Sequence, residues 1–249
     1  MPRQKNTRIS RDAGSELLET VRQELVRAAD TARAPAMQAY MKSSMPYHGV
    51  GADTMRAVCK RVFAPLQFES AGQWSDAVRS LWRGARFREE RYAAVELSAL
   101  KKALPFQTMR ALPLYEEMIV TGAWWDYVDF LAKDRLGLLL RREPAPMRRA
   151  MLAWSRSDDM WKRRSAILCQ LAFKTQTDRS LLYACIEPAL DSREFFLRKA
   201  IGWALRELAW TDPDEVIRYV REHAAQLSPL SKREALKNLL KSGRIDAIP

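Results

Sequence analysis

Apolar residues recur with helical spacing along nearly the whole chain. In the stretch "SELLETVRQELVRAA", one stripe is formed by Leu17, Leu18, Val21, Leu25 and Val26. This spacing is typical of an amphipathic helix with one face in a core. No stretch keeps the strict alternation of apolar and polar residues that indicates a half-buried strand. The pattern therefore predicts an all-α protein.

Sequence signals for helix starts occur within this pattern. Asp212 followed by Pro213 is typical of an N-cap with proline at the first helical position. Ser231 with Glu234 three residues later is typical of a capping box before "ALKNLL". Prolines fall repeatedly between the helical segments, which suggests many short helices joined by tight turns.

Three of the helical segments align with one another. They are "REERYAAVEL", "WKRRSAILCQL" and "FFLRKAIGWAL", and the alignment places Arg91, Arg164 and Lys199 at equivalent positions. A unit of about 36 residues explains both intervals if one unit, centred near residue 127, lies between the first two. We predict an α-solenoid of HEAT-like helix pairs with a concave basic groove, the alternative being an irregular helical bundle. The predicted single domain covers residues 15–249, after a disordered basic arm at residues 1–14.

The charge balance narrows the class of partner. The chain has 42 Lys and Arg against 30 Asp and Glu, a formal net charge of +12. Such a balance favours a polyanion, with nucleic acid first and an anionic membrane surface second. No apolar run is long enough to span a membrane. Three widely spaced cysteines and two histidines predict neither a disulfide framework nor a zinc cluster, and fit a reducing cytoplasm.

Basic residues recur at one position of the aligned units, on what is predicted to be the second helix of each pair. This row suits a regular phosphate backbone. Its members are Arg88, Arg91, Arg163, Arg164, Arg198, Lys199, Lys232, Arg233 and Lys237.

The row is interrupted in the middle unit by the stretch "TGAWWDYVDF". If residues 123–132 are helical, Trp124 faces the core, whereas Trp125 and Asp129 are one turn apart at its edge. Asp126 is predicted to be a surface charge. An indole face attracts cations, and a carboxylate in a water-poor site stabilises developing positive charge. These two residues therefore suit cleavage of the N-glycosidic bond of a purine that is positively charged by alkylation at N3 or N7.

Several stretches resemble the AlkD-type DNA alkylation repair glycosylases, which are HEAT-like repeat proteins. They are "AYMKSSMPYHGV", "LYEEMIVTGAWWDYVDFLA", "WKRRSAILCQLAFK", "EFFLRKAIGWALREL" and "LSPLSKREALK". The resemblance implies excision of N3- and N7-alkylpurines from duplex DNA without a metal or cofactor and without base flipping. It also implies that Trp125 and Asp129 are catalytic and that Arg164 grips phosphate beside the lesion. DNA contacts are implied for Tyr40, with Lys42 beside it, and for Trp203.

Two other functions use the same features. A DNA-binding scaffold without chemistry uses the same basic row, and a HEAT protein-interaction module would take an acidic protein as its partner. The acid kept inside the basic row favours the enzyme. The product is then an abasic site and a free base; we expect no strand cleavage, a monomeric state and a cytoplasmic location. His48 is predicted to be a loop residue, and packing roles are predicted for Trp74, Trp82, Trp154, Trp161 and Trp210.

Overall fold

The structure, a computed structural model, describes residues 11–249 and the side chains from residue 14 onward. Most of the predicted basic arm lies outside the described residues, and the first helix begins within it, at Arg11. Residues 11–249 contain helices and turns but no strand, so the all-α prediction is confirmed. None of the described helices is long and apolar enough to cross a membrane.

The helices form two compact units that divide after Leu114. In the first unit α1 packs against α3, α4 and α5, and the side chains of Trp74 and Trp82 on α4 are almost fully buried. Two 3₁₀ turns, Lys101–Phe106 and Met109–Ala111, follow its last helix. The helices are α1 (Arg11–Arg27), α2 (Ala34–Met41), α3 (Ala52–Phe63), α4 (Ala71–Gly84) and α5 (Arg88–Ser98).

The second unit begins within α6 and is organised around α10, α12 and α14. α12 packs against α10, α13 and α14, and α10 also contacts α7, α9 and α11. The helices are α6 (Leu112–Gly122), α7 (Trp125–Phe130), α8 (Gly137–Arg142), α9 (Pro144–Trp154), α10 (Met160–Leu168), α11 (Arg179–Ile186), α12 (Phe195–Ala209), α13 (Pro213–Glu222) and α14 (Pro229–Lys241). A π-helical turn, Leu131–Leu136, joins α7 to α8.

The helices follow one another in pairs with the predicted period. The second helix of each pair begins in turn at Arg88, Trp125, Met160, Phe195 and Pro229, at intervals of 37, 35, 35 and 34 residues. The unit missing from the sequence alignment is present and its second helix is α7. Pairs at this period are the arrangement of an α-solenoid of helical repeats. The concave basic groove and the single domain over residues 15–249 stay predictions.

The helix starts confirm one capping prediction and correct another. The Asp212 side chain accepts a hydrogen bond from the Glu215 N–H at 3.3 Å, as an N-cap does. The predicted capping box at Ser231 is wrong, because α14 begins one turn earlier, at Pro229. Ser228 is its N-cap and accepts from the Ser231 N–H at 3.0 Å. Proline at the first helical position fixes a helical φ and needs no N–H partner there, which favours the earlier start.

A close contact between α12 and α14 fixes the position of α12. A Cβ at Gly202 would lie 2.8 Å from the Ser231 carbonyl oxygen and 2.4 Å from the Glu234 Cβ. A residue without a side chain is therefore needed where the two helices meet. The same helix carries Lys199 and Trp203.

Candidate functional site

The segment "GAWWD" enters α7 through a tight turn. Ala123 has φ 44°, in the left-handed region, and Trp124 is extended as the N-cap residue. Trp124 was predicted to lie on the core face of a helix. This prediction is wrong, because Trp124 precedes the helix as its N-cap residue. Its ring packs instead against Trp161 and Phe196, at centroid distances of 6.2 and 5.5 Å. The left-handed turn releases Trp124 from the helix and lets its indole reach α10 and α12.

The predicted pair Trp125 and Asp129 lies on α7, one turn apart, and both side chains are partly exposed. The opposite face is the core, where Tyr127, Val128 and Leu131 are completely buried. The π-helical turn begins two residues after Asp129. Such turns are uncommon and occur frequently at functional sites, because the extra residue changes the direction of the side chains that follow.

Asp129 is held by a two-point ion pair with Arg164 of α10. The Arg164 Nε donates to Asp129 Oδ1 at 2.7 Å, and Nη2 donates to Oδ2 at 2.8 Å. Nη1 donates to the Phe196 carbonyl oxygen at the start of α12. The side chains are 15% exposed for Asp129 and 5% for Arg164, so the carboxylate borders solvent while the guanidinium lies beneath it. Three elements, α7, α10 and α12, therefore fix the direction of one carboxylate.

The environment of Asp129 disfavours its charged form. Burial raises the pKa of the Asp129 carboxyl above its ordinary value; the hydrogen bonds and charge of Arg164 oppose this shift, and the nearby charge of Asp126 adds to it. A carboxylate that has lost water, with Arg164 on one side, interacts strongly with positive charge on its open side. The same effect makes Asp129 easier to protonate as the pH falls.

The family resemblance implied that Arg164 contacts a phosphate of the DNA. The Arg164 side chain is only 5% exposed, however, whereas a residue that contacts phosphate is expected to be open to solvent. Of the five guanidinium N–H groups, three are used by Asp129 and the Phe196 carbonyl, which leaves two. The geometry thus gives Arg164 a clear task, the orientation of Asp129. Its contact with phosphate stays a prediction.

The other predicted cations of the second unit are partly engaged within the protein. Arg163 donates to the Pro188 carbonyl at 2.6 Å, and Arg198 donates to the Ser192 carbonyl at 2.7 Å. Lys199 pairs with Glu234 at 2.9 Å, and Lys232 donates to the Ala224 carbonyl at 3.2 Å.

The remaining predicted contacts of this unit reach solvent. Arg233 and Lys237 are exposed, and Trp203 is partly exposed, with its indole N–H donating to the Glu207 carboxylate at 3.1 Å. The DNA contacts predicted for all these side chains stay predictions.

In the first unit the predicted contact residues divide sharply. Tyr40 is 78% exposed at the end of α2, and Lys42 is exposed directly after it. Arg88 is only 5% exposed and bonds to the Tyr92 hydroxyl at 3.2 Å, which corrects the expectation that it lies open to a phosphate. Arg91 is partly exposed, with its guanidinium 4.7 Å from the centre of the Trp82 ring. Tyr40 and Lys42 are therefore the predicted contacts of this unit that reach solvent most fully.

Sequence reasoning missed the aromatic cluster beside Asp129. Phe196 lies 5.0 Å from Trp161 between ring centres, and its neighbour Phe195 is 56% exposed. The signal was present in the chain, because the pair "FF" opens α12 and Phe195 is the first residue of α12 as Trp125 is of α7. The predicted packing role fits Trp161 but not Trp210, which is 69% exposed at the end of α12.

No group of His, Cys, Asp and Glu within the described part of the chain is arranged to hold a metal ion. Cys59, Cys169 and Cys185 are buried free thiols, and burial raises the pKa of each. His48 lies in a loop, as predicted, but is buried and stacked on Phe87 at 3.8 Å.

Comparison with known proteins indicates the family to which the chain belongs. The sequence model of the family described as "DNA alkylation repair enzyme" matches residues 21–239. A solved structure described as a predicted DNA alkylation repair enzyme from Enterococcus faecalis is similar, with a TM-score of 0.75 and 27% sequence identity. The similarity covers 86% of this chain and 97% of that one. No curated protein matches the chain. Because the family match extends over most of its length, the chain belongs to the DNA alkylation repair enzyme family.

Proposed function

We propose that this protein is a DNA glycosylase that removes purines carrying a positive charge from alkylation at N3 or N7. The observation that carries the proposal is the two-point pair of Asp129 with buried Arg164. A carboxylate fixed by three elements, short of water and one turn from a partly exposed indole suits stabilisation of a cation. The family's role in repair of alkylated DNA fits that chemistry.

The reaction needs few catalytic groups because the substrate is already activated. As the bond from the purine nitrogen to the sugar C1′ breaks, the electron pair moves into the ring and neutralises its positive charge. The leaving base therefore needs no proton from the enzyme. The sugar acquires oxocarbenium character, as in other glycoside hydrolysis, and the ionised Asp129 stabilises it. The face of Trp125 attracts the cationic base before the bond breaks.

Water completes the reaction at the sugar. Its oxygen forms a bond to C1′, and its proton passes to the Asp129 carboxylate or to solvent. The products are a free base and an abasic site. Arg164 acts through Asp129, because its two hydrogen bonds orient the carboxylate and its charge favours the ionised form. We also propose action as a monomer on duplex DNA in the cytoplasm, with no cleavage of the strand.

The test is release of 7-methylguanine from duplex DNA by the wild type and by Asp129→Asn. Loss of a preorganised charge at a developing cation is expected to slow release by about 10²–10³-fold. DNA affinity, measured separately on an undamaged duplex, is expected to stay the same or to increase, because a negative charge is removed from the interface.

Asp126→Asn is the matched control, because it removes a neighbouring carboxylate of the same helix. It is expected to retain nearly full activity at neutral pH. If Asp129→Asn releases base at the wild-type rate, the carboxylate is not catalytic. If no protein releases base while all bind DNA, the scaffold function replaces the enzyme.

A further inference from the structure

A loop between α2 and α3 wraps around one buried carboxylate. Glu89, in the first turn of α5, is completely buried. Its oxygens accept hydrogen bonds from three consecutive backbone N–H groups, those of His48, Gly49 and Val50, at 3.0, 2.9 and 3.1 Å. Consecutive N–H groups that converge in this way form an anion-binding nest. Here the anion is a side chain of the protein itself.

The far side of this loop touches the start of α2. Gly49 has φ 83°, and a Cβ there would lie 2.0 Å from the Asp30 carbonyl oxygen. The Asp30 N–H donates to the His48 carbonyl at 2.9 Å, and the Asp30 carbonyl accepts from the N–H groups of Arg33 and Ala34 at 3.1 Å each. Glu89, the loop and the first turn of α2 are thus joined by an unbroken series of hydrogen bonds.

The end of α2 is joined to α5 as well. Gln38 Nε2 donates to the Ser43 carbonyl at 3.1 Å, and Arg88 Nη1 lies 3.4 Å from Ser43 Oγ. The Arg88 N–H donates to the Pro46 carbonyl at 2.9 Å. The buried guanidinium of Arg88 therefore belongs to the support of this loop.

The helix that these bonds hold has little apolar anchorage of its own. Of the eight described residues of α2, Met41 is the one that is buried. Helices in proteins owe most of their stability and orientation to a packed apolar face. With so small a face, the direction of α2 depends on the hydrogen bonds at its two ends. The bonds at its start lead to Glu89, and those at its end lead to Arg88.

We propose that Glu89 is a positioning residue that sets α2, and with it Tyr40 and Lys42, for contact with DNA. Both side chains extend into solvent from the end of α2. The inference rests on the proposed function, which assigns the two residues to the DNA interface. It adds that their placement is built into α5, through a carboxylate that never meets the DNA.

A double-mutant cycle on DNA affinity tests the proposal. Tyr40→Ala alone is expected to weaken binding about fivefold, the size of one lost polar contact. In a Glu89→Gln background, the same substitution is expected to weaken it less than about twofold, because Gln has one accepting oxygen in place of two and loosens the nest. Arg233→Ala, in the second unit, is expected to weaken binding by the same factor in both backgrounds.

Two further measurements separate positioning from general damage. Base release at saturating protein is expected to keep the wild-type rate in Glu89→Gln, so that the loss falls on affinity alone. Amide hydrogen exchange is expected to rise in residues 34–50 and to stay unchanged in residues 115–249. If the Tyr40 effect keeps its full size in Glu89→Gln, the proposal is overturned.

The remaining outcomes are also decisive. If Tyr40→Ala alone leaves affinity unchanged, the inference fails because Tyr40 is not at the DNA, whereas the Asp129 experiment still decides the proposed chemistry. If Glu89→Gln does not fold, Glu89→Asp shortens the side chain and weakens the same three hydrogen bonds to the loop without removing the buried charge. The Tyr40 effect is then expected to shrink by about half, and an undiminished effect overturns the proposal.

Discussion

Two carboxylates, the fully buried Glu90 in the first unit and the partly exposed Asp129 in the second, are each held at two points by an arginine, yet their pKa values shift in opposite directions. Arg22 contacts the two oxygens of Glu90 at 3.0 and 3.2 Å, and Arg164 contacts those of Asp129 at 2.7 and 2.8 Å. Burial raises the pKa of Glu90, but bonds from its neighbours outweigh it and lower the value to about 2. The pKa of Asp129 is raised.

The difference lies in the other neighbours. Glu90 also accepts from the Arg86 N–H at 2.8 Å, and His48 Nε2 is 3.7 Å away. Asp129 has a like charge nearby, Asp126, and an edge open to solvent. A carboxylate surrounded by donors is stabilised as an anion and serves the fold. A carboxylate with fewer donors retains a strong interaction for a cation that arrives later, which is what catalysis of this kind requires.

The largest expected contrast is in stability. Glu90→Gln is expected to lower the free energy of unfolding by about 3 kcal/mol, because it removes a fully buried charge that Arg22 and the Arg86 N–H stabilise, and leaves Arg22 with Glu19 as its carboxylate partner. Asp129→Asn is expected to lower it by less, because Asp129 is partly exposed and burial raises the pKa of its carboxyl, so that the cost of removing water from this charge offsets part of the pair with Arg164. Urea denaturation of both variants and the wild type at pH 7 measures the difference.

The pH dependence gives an internal check on this contrast. Glu90 has a lowered pKa, so its contribution to stability is present above its ordinary value of 4.5 and is lost as the pH falls towards about 2. Asp129 has a raised pKa, so its contribution is greatest below its ordinary value of 3.8 and is lost as the pH rises through the raised value. If Glu90→Gln and Asp129→Asn lowered the free energy of unfolding equally at every pH, the two carboxylates would be equivalent in their effect on stability.

The next contrast concerns the rate of base release as a function of pH. Because Asp129 is proposed to act as an anion, release is expected to fall on acidification at a pH above the ordinary value of 3.8. Arg164→Gln removes the cation that opposes the shift and is expected to move this acid limb upward by about one pH unit or more. Single-turnover release between pH 4 and 8 measures the limb, with the Asp129→Asn signal subtracted as background. An acid limb that stays in place would mean that Arg164 does not tune the carboxylate.

Periodicity alone was enough to predict an all-helical chain and the repeat that contains the candidate site. The repeat of about 36 residues predicted a unit near residue 127, and α7 is the second helix of that unit. Trp125 and Asp129 lie one turn apart because both belong to α7. The pairing of Asp129 with Arg164 also follows the repeat, since the two residues are 35 apart. Equivalent positions on neighbouring second helices face each other in a repeat stack, so a carboxylate and an arginine one period apart were a usable signal.

Periodicity did not predict the burial or the backbone conformation of residues at the ends of helices. Arg88 looks like any other cation of the row, but it is the first residue of α5 and lies against the loop that α5 supports. Trp210 looks like a core residue, but the helix ends there and its ring extends into solvent. The left-handed turn at Ala123 could not be predicted either, because alanine seldom adopts a positive φ and nothing in the sequence indicates the φ of 44°. Helix ends, where periodicity stops, are the places where these predictions failed.

The smallest expected effect comes from the like charge beside Asp129. Asp126 contributes least among the causes that shift the pKa of Asp129, and it contributes in the upward direction. Asp126→Asn is therefore expected to move the acid limb of base release downward by a few tenths of a pH unit, opposite in sign to Arg164→Gln. The same single-turnover profiles measure it, and added salt is expected to reduce the shift, because Asp126 borders solvent. A shift in the same direction for both variants would mean that the limb reports helix damage and not the field at Asp129. Opposite shifts would identify Asp129 as the titrating group, since its two charged neighbours act on it with opposite sign.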